Sequence, residues 1–345
     1  MTIRITAVPR SGAPNSGYHP MFFAARRNDL VWMIPGKGEY IGDYQNVTPV
    51  WCDLPPFRSL FSVRMMRIIA LLVFFVRAVQ LPRQVFLVHS FIFCIPLWAA
   101  RQNYALFIHG TDKRYLNNFI GSFFARKAIA AFGIGFKIEN NKNVKVDELP
   151  NVFFLSAYQD FLNVKENIHD VLFVLRNALV KNPKYPYKLF INTPNDYLRI
   201  GVIGLDVDYL SSDENDMVRS NTNAGHTIKF YGRCSFSEVL KLMKGSNVLI
   251  LPSYSEGVAK AMLEAFSMGM HVIVSINLKV PAVFEDFIIR TDLEDWQGVI
   301  SKINECKRLG FNTYNLEFAE KYLKDSIDML DKIYWDLTNN DFFPN

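Results

Sequence analysis

Short runs of Val, Ile, Leu and Phe alternate with amphipathic segments through the second half of the chain. The runs predict strands over residues 152–156, 187–192, 199–204, 227–231, 247–251 and 271–275. The segments between them predict helices over 167–180, 236–243 and 257–268, the first with Asn163 as its N-cap. Ser235 and Glu238 have the spacing of a capping box at the start of the second helix. Apolar strands alternating with helices predict a parallel sheet that is covered on both faces.

The first half contains similar apolar runs, which predict strands over residues 3–8, 30–34, 84–88, 105–108 and 131–134. The polar, Asn- and Lys-rich segment 139–150 ends in proline and is typical of a linker. We therefore expect an α/β protein of two doubly wound, Rossmann-like domains that face each other across a cleft. The predicted limits are 1–140 for the first domain, 141–150 for the linker and 151–315 for the second domain. A last helix over 316–345 is expected to pack back toward the first domain.

The net charge of +5 on 345 residues hides an asymmetry between the halves. Residues 1–150 carry 18 Lys or Arg against 8 Asp or Glu, whereas the rest carries 20 against 25. A basic half is suited to an anionic membrane surface, to phosphates or to nucleic acid. Nucleic acid is disfavoured because no basic strand with interleaved aromatic residues is present.

The four cysteines lie far apart without a Cys-x-x-Cys pair, which favours a reducing compartment and a cytoplasmic protein. The apolar run from Ile68 to Val76 is too short to span a bilayer, which takes about 20 residues. Arginines bracket this run, so it is expected either to lie in the headgroup plane of the membrane or to form a core helix with snorkelling ends. The pattern leaves both interpretations open.

The segment 252–269 carries the most specific chemistry in the chain. A strand leads into a loop of small and polar residues, and a helix is predicted to begin near Gly257, where free backbone N–H groups bind a diphosphate. Glu256 and Glu264 are eight residues apart, about 12 Å along a helix. That distance is too long for the carboxylate pair of a glycoside hydrolase, so the two are expected to hold different ends of one ligand. The alternative is an ordinary amphipathic helix with an N-terminal Glu.

Residues 247–275 closely resemble the Glu-x7-Glu donor motif of retaining GT-B glycosyltransferases, especially glycosyltransferase family 4. The matching elements are the two strands, Pro252-Ser253, Glu256-Gly257, Glu264-Ala265 and Gly269. The family makes bacterial O-antigen, capsule and exopolysaccharide linkages. The resemblance implies a retaining, hexosyltransferase-like enzyme that binds a nucleotide-sugar and needs neither a cofactor nor a metal.

By the same resemblance, Glu256 contacts the hydroxyls of the donor sugar and Glu264 contacts the nucleotide ribose. Amides around Gly257 and Val258 hold the diphosphate. Ser255 and Lys260 complete this part of the predicted donor site. Lys260 is either a phosphate ligand or a solvated helix residue.

Upstream of this motif, the family has a strand followed by Gly-Arg, a short loop and Lys-Gly, whose cations neutralise the leaving diphosphate. Lys165 matches the Lys position, with Glu166 where the family has Gly, but no Arg lies between Ser156 and Lys165. Gly232 and Arg233 follow the strand 227–231, where the family's base-binding loop begins. Arg233 is expected either to reach a phosphate or to face solvent.

The acceptor side is expected in the first half. His109-Gly110-x-Asp112 follows an apolar strand and is similar to the His-Gly-x-Asp element of polysaccharide glycosyltransferases. His109 is predicted to bond the donor sugar or the acceptor, and Asp112 to orient it or to bind the acceptor hydroxyl. The expected partners are a nucleotide-sugar, a polyprenyl-linked or other saccharide acceptor and the inner membrane surface, without nucleic acid. Two alternatives remain on the same scaffold, a sugar-nucleotide epimerase and a catalytically silent module that binds sugars or partners.

Overall fold

The computed structural model describes residues 5–8, 31–35, 48–52, 63–81, 84–88, 91–108, 116–134, 145–150, 168–194, 196–222, 225–255 and 260–338. The strands in these ranges are β1 Ile5–Val8, β2 Val31–Pro35, β3 Thr48–Cys52, β4 Val85–Val88, β5 Asn103–Ile108, β6 Ala130–Ile134, β7 Asp147–Leu149, β8 His169–Val174, β9 Arg199–Ile203, β10 Thr227–Phe230, β11 Ser246–Leu251, β12 His271–Ser275 and β13 Ile289–Thr291. The helices are α1 Val63–Gln80, α2 Cys94–Ala99, α3 Phe119–Lys127, α4 Tyr185–Asn192, α5 Ser212–Asn221, α6 Phe236–Lys244, α7 Lys260–Ser267, α8 Trp296–Leu309 and α9 Thr313–Thr338.

The strands form two parallel sheets, as the continuous apolar runs predict. The first has the order β3-β2-β1-β4-β5-β6-β7 and the second the order β10-β9-β8-β11-β12-β13. Val248 and Ile250 of β11 are fully buried together with their neighbours Leu249 and Leu251, so this strand has apolar residues on both faces. A central strand of a parallel sheet needs that composition because helices cover both sides of it.

Most of the elements predicted for the second half are confirmed, and β9, β10, β11 and β12 agree with the predicted strands to within one residue at either end. Helix α6 begins with the predicted capping box, in which the Ser235 hydroxyl accepts from the Glu238 N–H and the Glu238 carboxylate accepts from the Ser235 N–H. The predicted strand 152–156 lies outside the described residues.

Two predicted elements are wrong. The predicted helix 167–180 contains strand β8, which pairs with β9 on one side and β11 on the other. Its residues are apolar at consecutive positions because both faces are buried, and such a run does not distinguish a strand from a buried helix by periodicity. The predicted strand 187–192 is helix α4, which has Pro186 in its first turn, where proline is well tolerated, and buries the consecutive residues Leu189 and Phe190.

The chain divides into two compact units, one comprising Met1–Phe153 with Asp325–Asn345 and the other comprising Phe154–Lys324. The predicted linker 141–150 is wrong over residues 147–149, because these form β7, which pairs in parallel with β6. The polar composition that suggested a linker is compatible with an edge strand, since β7 is the last strand of its sheet. The other predicted domain limits, and the packing of the last helix, stay predictions.

A buried carboxylate ties the second sheet to α8. Asp170 at the start of β8 accepts the Arg199 backbone N–H at 2.9 Å and lies 3.1 Å from the Arg199 guanidinium and 3.2 Å from the Lys307 ammonium. Burial by itself would raise the pKa of this carboxyl, but the hydrogen bonds from Arg199 and the charge of Lys307 hold the pKa below its usual value. The charged form is therefore the stable one, and it fixes β8, β9 and α8 at the edge opposite the strands' carboxyl ends.

Acid is expected to destabilise the second unit through His169, whose Nε2 lies 2.8 Å from the Tyr231 hydroxyl. Burial lowers the pKa of His169 to about 4, with further contributions from the charges of Arg199 and Lys229. Between pH 6.5 and this value the unfolded chain binds the proton and the folded chain does not, so stability falls as the pH falls. From pH 7 to pH 5 the loss from this residue is about 2 kcal/mol.

Urea-induced unfolding at both pH values measures this loss. The variant His169→Gln keeps a polar side chain but does not titrate in this range, so its free energy of unfolding should change by about 2 kcal/mol less than that of the wild type. Equal changes in the two proteins would show that His169 is not the group responsible.

Candidate functional site

The second sheet changes direction between β8 and β11. From β8 the chain moves outward through β9 to β10, then returns to place β11 on the other side of β8 and continues to β12 and β13. In an open parallel sheet, the loops after the two central strands diverge at this point and leave a crevice that binds ligands. The residues after Val174 of β8 and after Leu251 of β11 therefore form the candidate site.

The loop after β11 begins with Pro252 and Ser253, which are buried, and continues with Tyr254 and Ser255, which are exposed. The Tyr254 backbone N–H donates to the Val180 carbonyl at 2.9 Å, so this loop is bonded directly to the loop after β8. The predicted donor residue Ser255 is thus exposed in a loop that borders the crevice. The aromatic ring of Tyr254 is exposed beside it.

Helix α7 carries the next two predicted donor residues. Glu264 is only 8% exposed, which is unusual for a carboxylate. Burial lowers the pKa of Lys260, and the nearby charge of Glu264 acts in the opposite direction. The two residues are one helical turn apart and share a face of the helix. Lys260 is partly buried, so the interpretation of a fully solvated residue is disfavoured.

The loop after β8 contains two cations that the sequence interpretation missed. Arg176 is exposed two residues after the end of β8, and Lys181 closes the short 3-10 turn Leu179–Lys181. Asn182 follows in the left-handed conformation, with φ 48°. The order of a strand, an Arg, a short loop and a Lys matches the pattern of leaving-group cations given above, with Leu175 and Asn182 where the pattern has glycines.

The placement of Lys165 at the Lys position, after the predicted strand 152–156 and without an Arg partner, stays a prediction. Lys165 lies outside the described residues, but it precedes β8, whereas the cations of the pattern follow the strand. The signal was present in the sequence as Arg176 and Lys181, five residues apart after the apolar run DVLFV. A helix predicted over residues 167–180 leaves no strand end before Arg176, so the sequence interpretation does not single out these cations.

Gly232 and Arg233 lie after β10 in a loop that is bonded to the loop after β9. The Gly204 N–H donates to the Gly232 carbonyl at 2.6 Å, and the Gly232 N–H donates to the Leu205 carbonyl at 3.0 Å. Gly232 has φ +62°, and a Cβ at this position would overlap the Asp206 carboxylate. Glycine is therefore required here. Arg233 is exposed.

The remaining predicted residues lie outside the described part of the chain: Glu256, Gly257 and Val258 between β11 and α7, and His109 and Asp112 after β5. Each of them nevertheless comes after the carboxyl end of a parallel strand in the chain, which is where open α/β sheets bind ligands. In the first sheet the order reverses between β1 and β4, so β5 is one strand away from the corresponding crevice.

Solved structures with the same architecture cover almost the whole chain. HepE from Anabaena, solved with UDP and glucose, is 14% identical, with 98% of this chain and 100% of that chain covered and a TM-score of 0.67. A trehalose-phosphate synthase from Burkholderia vietnamiensis is 12% identical, with 98% of each chain covered and a TM-score of 0.66. Sucrose-phosphate synthase from Thermosynechococcus elongatus is 12% identical, with 98% and 96% covered and a TM-score of 0.62. At these identities the likeness shows the fold, which is GT-B.

No curated protein matches the sequence. A family model does match part of it, over residues 157–309, and this part contains β8, β11, α7 and the crevice between the two central strands. The matched family is described as Glycosyl transferases group 1. The second half of this GT-B chain is thus similar to the group 1 glycosyl transferases in the region that holds the candidate site.

Proposed function

We propose that the protein is a retaining glycosyltransferase that moves a sugar from a nucleotide diphosphate-sugar to a lipid-linked saccharide in the synthesis of a bacterial surface polysaccharide. The observation that carries the proposal is the crevice between β8 and β11, where Arg176 and Lys181 follow one strand and the Glu256–Glu264 motif follows the other. The cations and the free N–H groups at the start of a helix can bind a diphosphate. Carboxylates can accept hydrogen bonds from sugar hydroxyls.

Each residue has a distinct task in this proposal. Glu264 binds the ribose, and Glu256 binds the transferred sugar. Arg176 and Lys181 neutralise the diphosphate as the bond to the sugar breaks, which is where negative charge develops. Lys260 and the amides of Gly257 and Val258 hold the same phosphates at the start of α7. In this proposal the cations and the helix N–H groups neutralise the charge of the diphosphate, which a metal ion does in other enzymes. We therefore propose that transfer needs no metal.

On the acceptor side, His109 bonds the donor sugar or the acceptor, and Asp112 orients it or binds the acceptor hydroxyl. A lipid-linked acceptor places the reaction at the cytoplasmic face of the membrane. The absence of an Arg before Lys165 would favour the silent module, whereas the proposal assigns the role of that Arg to Arg176. The epimerase has no specific observation in its favour among the described residues.

A donor screen followed by a transfer assay tests the proposed function. UDP-glucose is the first donor to use, because HepE was solved with UDP and glucose. A true donor at about 100 times its Kd stabilises the folded protein by about 2.7 kcal/mol, so the correct nucleotide-sugar raises Tm in a thermal-shift assay. Incubation of the stabilising donor, labelled in its sugar, with bacterial lipid extract should then give labelled lipid.

The products distinguish the alternatives. Free epimerised nucleotide-sugar would indicate the epimerase, and donor binding without turnover would indicate the silent module. Repeating the assay with EDTA tests metal independence. The sequence Asp206-Val207-Asp208 after β9 makes this control necessary, because paired aspartates are common metal ligands.

A further inference from the structure

Three helices cover one face of the first sheet and lie side by side. Phe74 of α1, Leu97 of α2 and Phe124 of α3 share one buried cluster with alternate residues of β4 and β5. The rings of Phe74 and Phe93, just before α2, have their centroids 4.9 Å apart, and the rings of Trp98 in α2 and Phe124 are 6.0 Å apart. Helix α2 therefore lies between α1 and α3, and the three helices present one outer surface, which we call the α1–α3 surface.

The part of this surface on α1 is apolar. Ile68, Leu72, Val76 and Val79 follow helical spacing along the side opposite the buried Phe74 and Ala78, and each is 51–59% exposed. A helix on a soluble protein normally has polar residues on its outer side. Among the described residues no helix reaches the length and apolar content needed to cross a membrane. Because its exposed residues are apolar, the outer face of α1 is suited to lying on an apolar partner.

The neighbouring helices extend the same surface. Ile95 and Trp98 of α2 are about half exposed, and Phe119, at the start of α3, is 80% exposed with Ile120 beside it. A Trp that is half buried against protein and half open is typical of the boundary between water and lipid tails. Exposed apolar side chains on three adjacent helices form a patch rather than the scattered single residues of an ordinary surface.

Charge decides what covers this patch. Arg77, Arg101, Arg126 and Lys127 on or beside the three helices are exposed, and the helices contain no Asp or Glu. Between Asp53 and Glu139 the chain has eleven Lys or Arg and a single acidic residue, Asp112. A second copy of the chain would bring like charges together across a two-fold axis. An anionic bilayer instead offers negative headgroups around an apolar interior, which matches both features.

We propose that the α1–α3 surface docks the protein on an anionic lipid bilayer, with the apolar side chains among the acyl chains and the cations at the headgroups. This extends the proposed function, since it places the enzyme where a lipid-linked acceptor lies. Lipid binding nevertheless needs no donor and no catalysis, so it is measured separately from transfer. Docking is compatible with both interpretations of α1, a helix in the headgroup plane and a core helix, because one side of α1 packs in the core and the other side would contact lipid.

Co-sedimentation with vesicles tests the proposal directly. The full-length protein is expected to sediment with vesicles that contain phosphatidylglycerol and to remain in solution with pure phosphatidylcholine. Salt screens the attraction between exposed charges, so binding should weaken as the salt concentration rises. Absence of binding to the anionic vesicles at low salt would overturn the proposal.

Two double variants locate the docking surface. Arg126→Gln with Lys127→Gln removes two cations, and binding should fall about 30-fold, from about 1 kcal/mol for each cation. Leu72→Gln with Val76→Gln removes apolar contacts and should weaken binding at all salt concentrations. The matched control is Leu309→Gln with Lys321→Gln, an exposed apolar residue and an exposed cation of the other unit, which should bind vesicles as the wild type does.

Circular dichroism and the thermal shift on donor binding show whether each variant remains folded. If the α1–α3 variants bind vesicles like the control, the proposal is wrong. If Leu72→Gln with Val76→Gln instead turns a dimer into a monomer in light scattering, the surface is an interface between copies. Loss of vesicle binding with intact transfer to a soluble acceptor supports docking, whereas vesicle binding without transfer to any acceptor overturns only the proposed function.

Discussion

The variant Arg176→Ala is expected to lower kcat for sugar transfer by about 10²- to 10³-fold, because it removes a charge that acts on the leaving diphosphate in the transition state. The KM for the donor should change much less, since the ground-state diphosphate keeps Lys181, Lys260 and the start of α7. The Arg176 side chain is exposed, so its removal leaves the core intact. Steady-state kinetics with the donor found in the screen measure both constants.

Lys165→Ala is the matched control for this prediction. Both variants remove one cation from the second unit, but Lys165 precedes β8, whereas Arg176 follows it. We expect kcat of Lys165→Ala to stay near that of the wild type. If Lys165→Ala loses activity and Arg176→Ala keeps it, the assignment of the leaving-group cations to the loop after β8 is wrong.

The variant Glu256→Ala is expected to lower kcat/KM by at least about 10²-fold, since hydrogen bonds to a charged group contribute about 1.5–3 kcal/mol each and a carboxylate can accept from two sugar hydroxyls. Along the chain the residue lies between β11 and the start of α7, outside the strands of both sheets. The fold and the binding of the nucleotide are expected to survive.

Comparison of two ligands isolates the role of Glu256. UDP alone lacks the sugar, so it should raise Tm equally in the wild type and in Glu256→Ala. The additional rise produced by UDP-glucose should disappear in the variant. Glu264→Gln is the counterpart, because a ribose contact affects UDP and UDP-glucose alike. An unchanged kcat/KM in Glu256→Ala would contradict its proposed contact with the transferred sugar.

Local patterns were sufficient for much of the second unit. The capping box of Ser235 and Glu238 uses residues three apart, so its hydrogen bonds depend on the first turn of α6 alone. The strand β11 and the helix after it were predictable from an apolar run followed by small and polar residues. The eight-residue spacing of Glu256 and Glu264 argues against a hydrolase pair, and this stays a prediction.

Local patterns were not sufficient to predict strand β8. Its residues are buried on both faces because β9 and β11 flank it, and those neighbours come from distant parts of the chain. The run DVLFV by itself is compatible with a helix or a strand. With a helix assigned to this run, the sequence interpretation has no strand end before Arg176 and Lys181, so it does not single out these two cations.

The amino-acid sequence alone was enough to predict two parallel α/β domains and the order of strand, loop and helix around residues 247–268, because apolar runs and amphipathic segments are patterns of residues close together in the chain. Tertiary structure decided which strands are central, and hence that the loop with Arg176 and Lys181 follows the strand that lies beside β11. It also decided that the apolar side chains of α1, α2 and α3 form one exposed surface. Both results depend on pairing and packing between segments far apart in the chain, and local periodicity carries no information about such contacts.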